Sequence, residues 1–77
     1  MPGSDAGTDR TLAITVNGEP FAAAVGWNAE DVVVALGLDR RPLAVEVNRH
    51  VVPRARLRDC MLSGGDCIEI VTLVGGG

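Results

Sequence analysis

The sequence predicts an α+β domain, a mixed sheet with one helix packed on one face. Three observations predict it. Apolar and polar residues alternate from Thr11 to Val16, Leu43 to Val47 and Cys67 to Leu73, the period of half-buried strands. A stretch with helical spacing and caps at both ends, Asn28 to Gly37, stands between them. Turn signals at Asn17-Gly18, Asn48-Arg49 and Ser63-Gly64-Gly65-Asp66 punctuate the rest.

Residues 1–10 have no apolar period and are expected to be a disordered tail. In the first strand Leu12, Ile14 and Val16 point inward and Thr11, Ala13 and Thr15 outward. Asn17-Gly18 is the strongest short hairpin signal. With Glu19-Pro20 completing the turn, a second strand is expected from Phe21 to Val25. Asn28 suits a helix N-cap, Asp31 stands where a capping box places its acid, and Trp27 and Val32 occupy staple positions. Ala29, Val32, Val33 and Leu36 share the expected buried face, and Gly37 is the left-handed stop. The run Val32-Val33-Val34 opposes helix, but each Val costs well under about 1 kcal/mol relative to Ala. Caps and a buried face outweigh that.

Leu43, Val45 and Val47 point inward from the third strand, with Ala44 and Glu46 outward. His50 to Val52 is a short strand ended by Pro53, which suits an edge. Arg54 to Leu62 reads as an irregular or single-turn helical link. In the last strand, Cys67 to Leu73, Ile68 and Ile70 face in and Glu69, Val71 and Leu73 face out. The order β-β-α-β-β-β is that of the ubiquitin-like β-grasp. It places the last strand centrally and parallel to the first. The expected organisation is a tail over 1–10, a β-grasp domain over 11–73 and a flexible glycine tail over 74–77.

At 77 residues the chain is one domain, with little room for an enclosed cleft. Its 47% hydrophobic content is enough for a core, and with one Trp, one Phe and no Tyr that core must be aliphatic. Net charge is −3 with no basic run, so no nucleic-acid partner is expected. No apolar run is long enough for a membrane span, and Met1 to Asp9 does not resemble a signal peptide. Cys60 and Cys67 make no metal pattern and are read as reduced thiols of a cytoplasmic protein, Cys60 as a small buried hydrophobe and Cys67 as partly exposed. His50 has no carboxylate partner nearby in sequence and reads as structural or solvent-exposed. No catalytic constellation, metal set or phosphate loop occurs, so a protein cosubstrate is expected rather than an enzyme.

The informative feature is Gly75-Gly76-Gly77, following directly on the apolar last strand. Without Cβ atoms such a tail threads a narrow channel and approaches a reacting centre closely. A carboxylate is inert to nucleophiles until activated. Adenylation by ATP makes Gly77 a mixed anhydride that sulfur displaces, leaving a thiocarboxylate, with all catalytic groups on a partner. The outward residues Ala44, Val71 and Leu73, with Val74, are candidates for partner docking because they lead into the tail.

From Leu12 to Gly77 the chain resembles the ThiS family, the sulfur carriers of thiamine biosynthesis. The resemblance lies in Val47-Asn48, Val51-Val52-Pro53-Arg54, Gly65-Asp66 and Gly76-Gly77, with the Asn17-Gly18 hairpin and the capped helix at similar positions. It departs in an N-terminal extension and in Leu57, where many relatives carry an aromatic. The resemblance implies that Gly77 carries the thiocarboxylate and Gly76 is its obligatory neighbour. It implies an E1-like adenylating enzyme of the ThiF type, using ATP and a sulfur donor, and a ThiG-type thiazole synthase as recipient. Carriers for molybdopterin, cysteine or secondary-metabolite synthesis share these features. A ubiquitin-like modifier would use the same activation; the absence of Lys excludes lysine-linked self-chains.

Overall fold

The computed structural model describes residues 10–73. Of the expected tails over 1–10 and 74–77, residues 1–9 and 74–77 lie outside the described residues. Strands β1 (Thr11–Val16) and β2 (Glu19–Ala24) are followed by helix α1 (Ala29–Ala35). Then come β3 (Leu43–Val47), β4 (His50–Val52), a 3-10 helix (Arg54–Asp59) and β5 (Cys67–Thr72). The sheet order is β2-β1-β5-β3-β4, with β5 central and parallel to β1, the expected β-grasp.

The first hairpin is tighter than expected. Asn17 and Gly18 have φ of 52° and 83°, so these two residues alone make a type I′ turn. Glu19 therefore pairs at once with Val16, and Pro20 sits opposite Thr15 inside β2 rather than in the turn. Proline is tolerated there because β2 is an edge strand. Alternation from the closing Val16–Glu19 pair points the Pro20 nitrogen to solvent, so no ladder bond is lost. β2 ends at Ala24 rather than Val25, whose N–H still donates to the Arg10 carbonyl at 3.1 Å.

The helix carries both expected caps. The Asn28 side chain accepts from the Asp31 N–H at 2.9 Å, and the Asp31 carboxylate accepts from the Asn28 N–H at 2.8 Å. At the other end Leu38 N–H donates to Val33 and Gly37 N–H to Val34, a Schellman pair with Gly37 at φ +73°. Because α1 is only seven residues long, Leu36 becomes its C-cap; it is exposed rather than on the buried face. The helix start is tied to the 60–62 segment, since Ala29 N–H donates to the Cys60 carbonyl and Leu62 N–H to that of Trp27.

The core is aliphatic. Ile14, Val45, Ile68 and Ile70 of the sheet, Val32 and Val33 of α1 and Leu57 of the 3-10 helix form it. Phe21 and Trp27 only flank it, with ring centroids 6.3 Å apart. No polar or charged residue is buried among the described residues, so apolar burial at about 25 cal/mol per Å² is the dominant stabilising term. Leu57 is completely buried, and the 3-10 helix that carries it contacts both α1 and β3.

Candidate functional site

β5 leads toward the glycine tail, and several elements hold it. β1 pairs with only its first part, Thr15 with Cys67 and Val16 with Ile68, before the hairpin turns away. Asn17 then continues the ladder in two ways. Its backbone N–H donates to the Ile68 carbonyl at 2.8 Å, and its side-chain oxygen accepts from the Ile70 N–H at 2.7 Å. A side chain thus satisfies a part-buried backbone donor where β1 has ended. On the other side β3 pairs with β5 from Val47–Ile68 to Leu43–Thr72, and Leu73 N–H donates to the Pro42 carbonyl at 2.9 Å. The loop carrying Pro42 is clipped by the Arg54 guanidinium, which donates to the Asp39 and Arg41 carbonyls. The main chain is held by hydrogen bonds as far as Leu73; Val74, Gly75, Gly76 and Gly77 lie outside the described residues.

The start of β5 is fixed by a second set of polar contacts. Asn48, at φ 52° in the β3–β4 turn, donates from its side chain to Asp66 at 3.0 Å and accepts from the Cys67 N–H at 2.9 Å. Asp66 also accepts from the Ser63 N–H at 2.7 Å, closing the turn before the strand. Asn48 and Gly65-Asp66 are among the residues on which the family resemblance rests. The structure joins them physically: 18 residues apart in sequence, Asn48 and Asp66 set the register at which β5 enters the sheet. In sequence Asn17 reads only as a turn residue. Its side-chain role depends on β1 stopping short of β5, which a local pattern does not show.

Of the proposed docking residues, Ala44 and Val71 stand directly opposite each other on the face of the sheet away from α1. Val71 is 59% exposed and Leu73 52%. The patch is larger than the sequence suggested, because Val51 of β4 (70% exposed) lies on the same face, paired with Glu46. Glu46 in turn faces Glu69 across β3 and β5, a like-charge cross-strand pair. Val74 is outside the described residues.

The remaining reactive side chains are scattered. His50 is exposed on the β4 edge, and Cys67 is exposed on the outward face. Cys60 is half-buried against the core; burial, and secondarily the Asp66 charge, push its thiol above the ordinary range, away from thiolate. Among the described residues no three His, Cys, Asp or Glu side chains are grouped as metal ligands, and no helix is long and apolar enough to cross a membrane. An open groove between the first hairpin and the end of α1, lined by Val16, Phe21, Leu36 and Leu38, offers only Asn17 and Glu19 as polar groups.

The ThiS family model matches residues 14–77. The chain is similar to the crystal structure of the thiamine biosynthesis protein ThiS from Geobacter metallireducens, with a TM-score of 0.72 and 29% identity over 86% of this chain and all of that one. It is 33% identical over 66 residues to a thiazole synthase of Paramagnetospirillum magneticum and 38% identical over 66 residues to one of Magnetococcus marinus. Those alignments cover 86% of this chain but only 20% of each synthase. The chain is also 28% identical over 69 residues to the uncharacterized protein ycf40 of Porphyra purpurea, covering 97% of that protein.

Proposed function

Since the chain belongs to the ThiS family, we propose that it is a cytoplasmic sulfur carrier for thiazole formation in thiamine biosynthesis, with the Gly77 carboxylate as the reactive group. The observation that carries this reading is the family match, which runs from residue 14, within β1, to residue 77. The geometry suits it. β5 is the central strand of the sheet, bonded on both sides at its start and held through Leu73, so the segment beyond it leaves from a fixed point.

The chemistry follows from what a carboxylate lacks. Its carbon resists nucleophiles until a good leaving group replaces the oxyanion. In the proposed sequence the Gly77 carboxylate attacks the α-phosphorus of ATP and pyrophosphate leaves. A hydrosulfide equivalent from the sulfur donor then attacks the acyl carbon, AMP leaves and a thiocarboxylate remains. An E1-like adenylating enzyme supplies the catalytic groups, and this chain supplies the acyl end and a docking face. Gly75 and Gly76 let the end pass a narrow channel. Exposed Val71 and Leu73, with Ala44, are the proposed seat for the enzyme, and Val74 follows them in sequence. A thiazole synthase is the proposed recipient. The similarity of this chain to a fifth of two thiazole synthases supports it, since a carrier-like segment built into a synthase sits where sulfur is consumed.

The test is co-expression with an adenylating enzyme and a sulfur donor, followed by intact-mass measurement. The expected result is a gain of about 16 Da, one oxygen exchanged for sulfur, located on Gly77. It should be abolished by deleting Gly77 or by appending residues after it. Adducts joining Gly77 to amines of other proteins, with no gain of sulfur, would refute the carrier and establish a modifier.

A further inference from the structure

Six of the seven arginines lie between Arg40 and Arg58, a stretch whose one carboxylate is Glu46. In sequence they are dispersed among apolar residues and do not read as a basic run. The fold gathers them along one border of the molecule: the loop before β3, the β3–β4 turn, and the 3-10 helix that follows edge strand β4. All six are exposed. Arg54 uses its guanidinium on the Asp39 and Arg41 carbonyls. Asp39 and Asp59 flank the stretch, and Glu46 is the one carboxylate inside it, although acidic residues outnumber basic ones in the chain. The charges are therefore segregated. Six exposed cations on one border create a local positive field on a molecule that is negative overall.

We propose that this border is a docking edge for an acidic surface of the adenylating enzyme that activates the tail. The proposal rests on the carrier reading and deepens it. Continuity points to that occupant. Val51 of β4 stands beside Glu46 of β3, next to the Ala44–Val71 pair, so a partner covering the apolar patch reaches the arginines within one or two strand spacings of about 5 Å each. Charge argues for a protein rather than a nucleic acid. The chain carries −3, and its two aromatic rings, Phe21 and Trp27, pack on the core, leaving the border without a stacking platform. Guanidinium forks suit carboxylates as well as phosphates. A carrier must also leave each enzyme it visits. Long-range steering raises the association rate without the deep burial that slows release.

The test titrates the full chain and the R56E/R58E variant against the adenylating enzyme of the same genome at low and high salt, reading both affinity and thiocarboxylate formation. The expected result is a loss of affinity of about tenfold or more at low salt, a flattened salt dependence, and an unchanged kcat at saturating enzyme. R56K/R58K should retain most of the binding. Circular dichroism checks the fold, and R40E/R41E repeats the measurement outside the 3-10 helix should R56E/R58E misfold. Unchanged affinity and salt dependence in both charge-reversed variants would overturn the proposal. So would binding of a short RNA or DNA at physiological salt that the same substitutions abolish. If the wild type binds through this border but gains no sulfur, the carrier reading fails and the docking edge stands.

Discussion

Replacing Asn17 separates two roles that one residue combines. Its φ of 52° is left-handed, and its side-chain oxygen accepts the part-buried Ile70 N–H at 2.7 Å. Asn17→Gly keeps the left-handed turn accessible and removes the acceptor. An unsatisfied buried donor costs about 1–3 kcal/mol, so that is the expected loss. Asn17→Ala also removes the acceptor, and it lacks the local hydrogen bonding by which Asn tolerates the left-handed region, so its loss should exceed that of Asn17→Gly. For a domain of this size each kcal/mol lowers Tm by about 4–8 °C. Urea unfolding of the wild type and both variants measures the totals. Native-state amide exchange at Ile70 and Thr72 shows whether the effect lies in the second half of β5. If Asn17→Gly unfolds at the wild-type urea midpoint with Ile70 still protected, the side-chain acceptor carries no energy and the account of how β5 is held is wrong.

Leu57→Ala empties a fully buried position between α1 and β3 and should cost about 2–5 kcal/mol in denaturant unfolding, a large share of what so small a domain has. A loss under about 1 kcal/mol would mean that the core collapses around the gap. Glu69→Gln removes the repulsion with Glu46 directly opposite, so Tm should rise at low salt. The gain should shrink toward about 1 M salt, where screening acts within roughly 3 Å; a gain independent of salt would rule out charge as its origin. Iodoacetamide should label exposed Cys67 well before Cys60. Burial raises the Cys60 thiol, and a raised pKa means less thiolate at every pH below it; equal labelling rates by peptide mapping would contradict that.

The elements legible in the sequence were those whose cause is local. The capping box at Asn28 and Asp31, the stop at Gly37 and the alternation of β3 depend on residues a few positions apart, and the structure shows each as expected. The structure departs from the local pattern where one local rule displaces another. Glu19-Pro20 looked like turn residues because proline disfavours strands, yet a two-residue turn and an edge position let Pro20 stay in the ladder. Leu36 matched the apolar spacing of α1, but the helix ended first.

By itself the sequence determined the order of strands and helix, the aliphatic core and the candidate tail, because periodicity, caps and glycine content act over short range. Only the tertiary structure decided how β5 is held. Asn17 reaches Ile70, Asn48 reaches Asp66 and Arg54 reaches the loop before β3 across 53, 18 and 13–15 residues. It also decided that dispersed arginines become one basic border. Hydrogen bonds and charges act through space, so these partners exist only once apolar burial has closed the sheet around them.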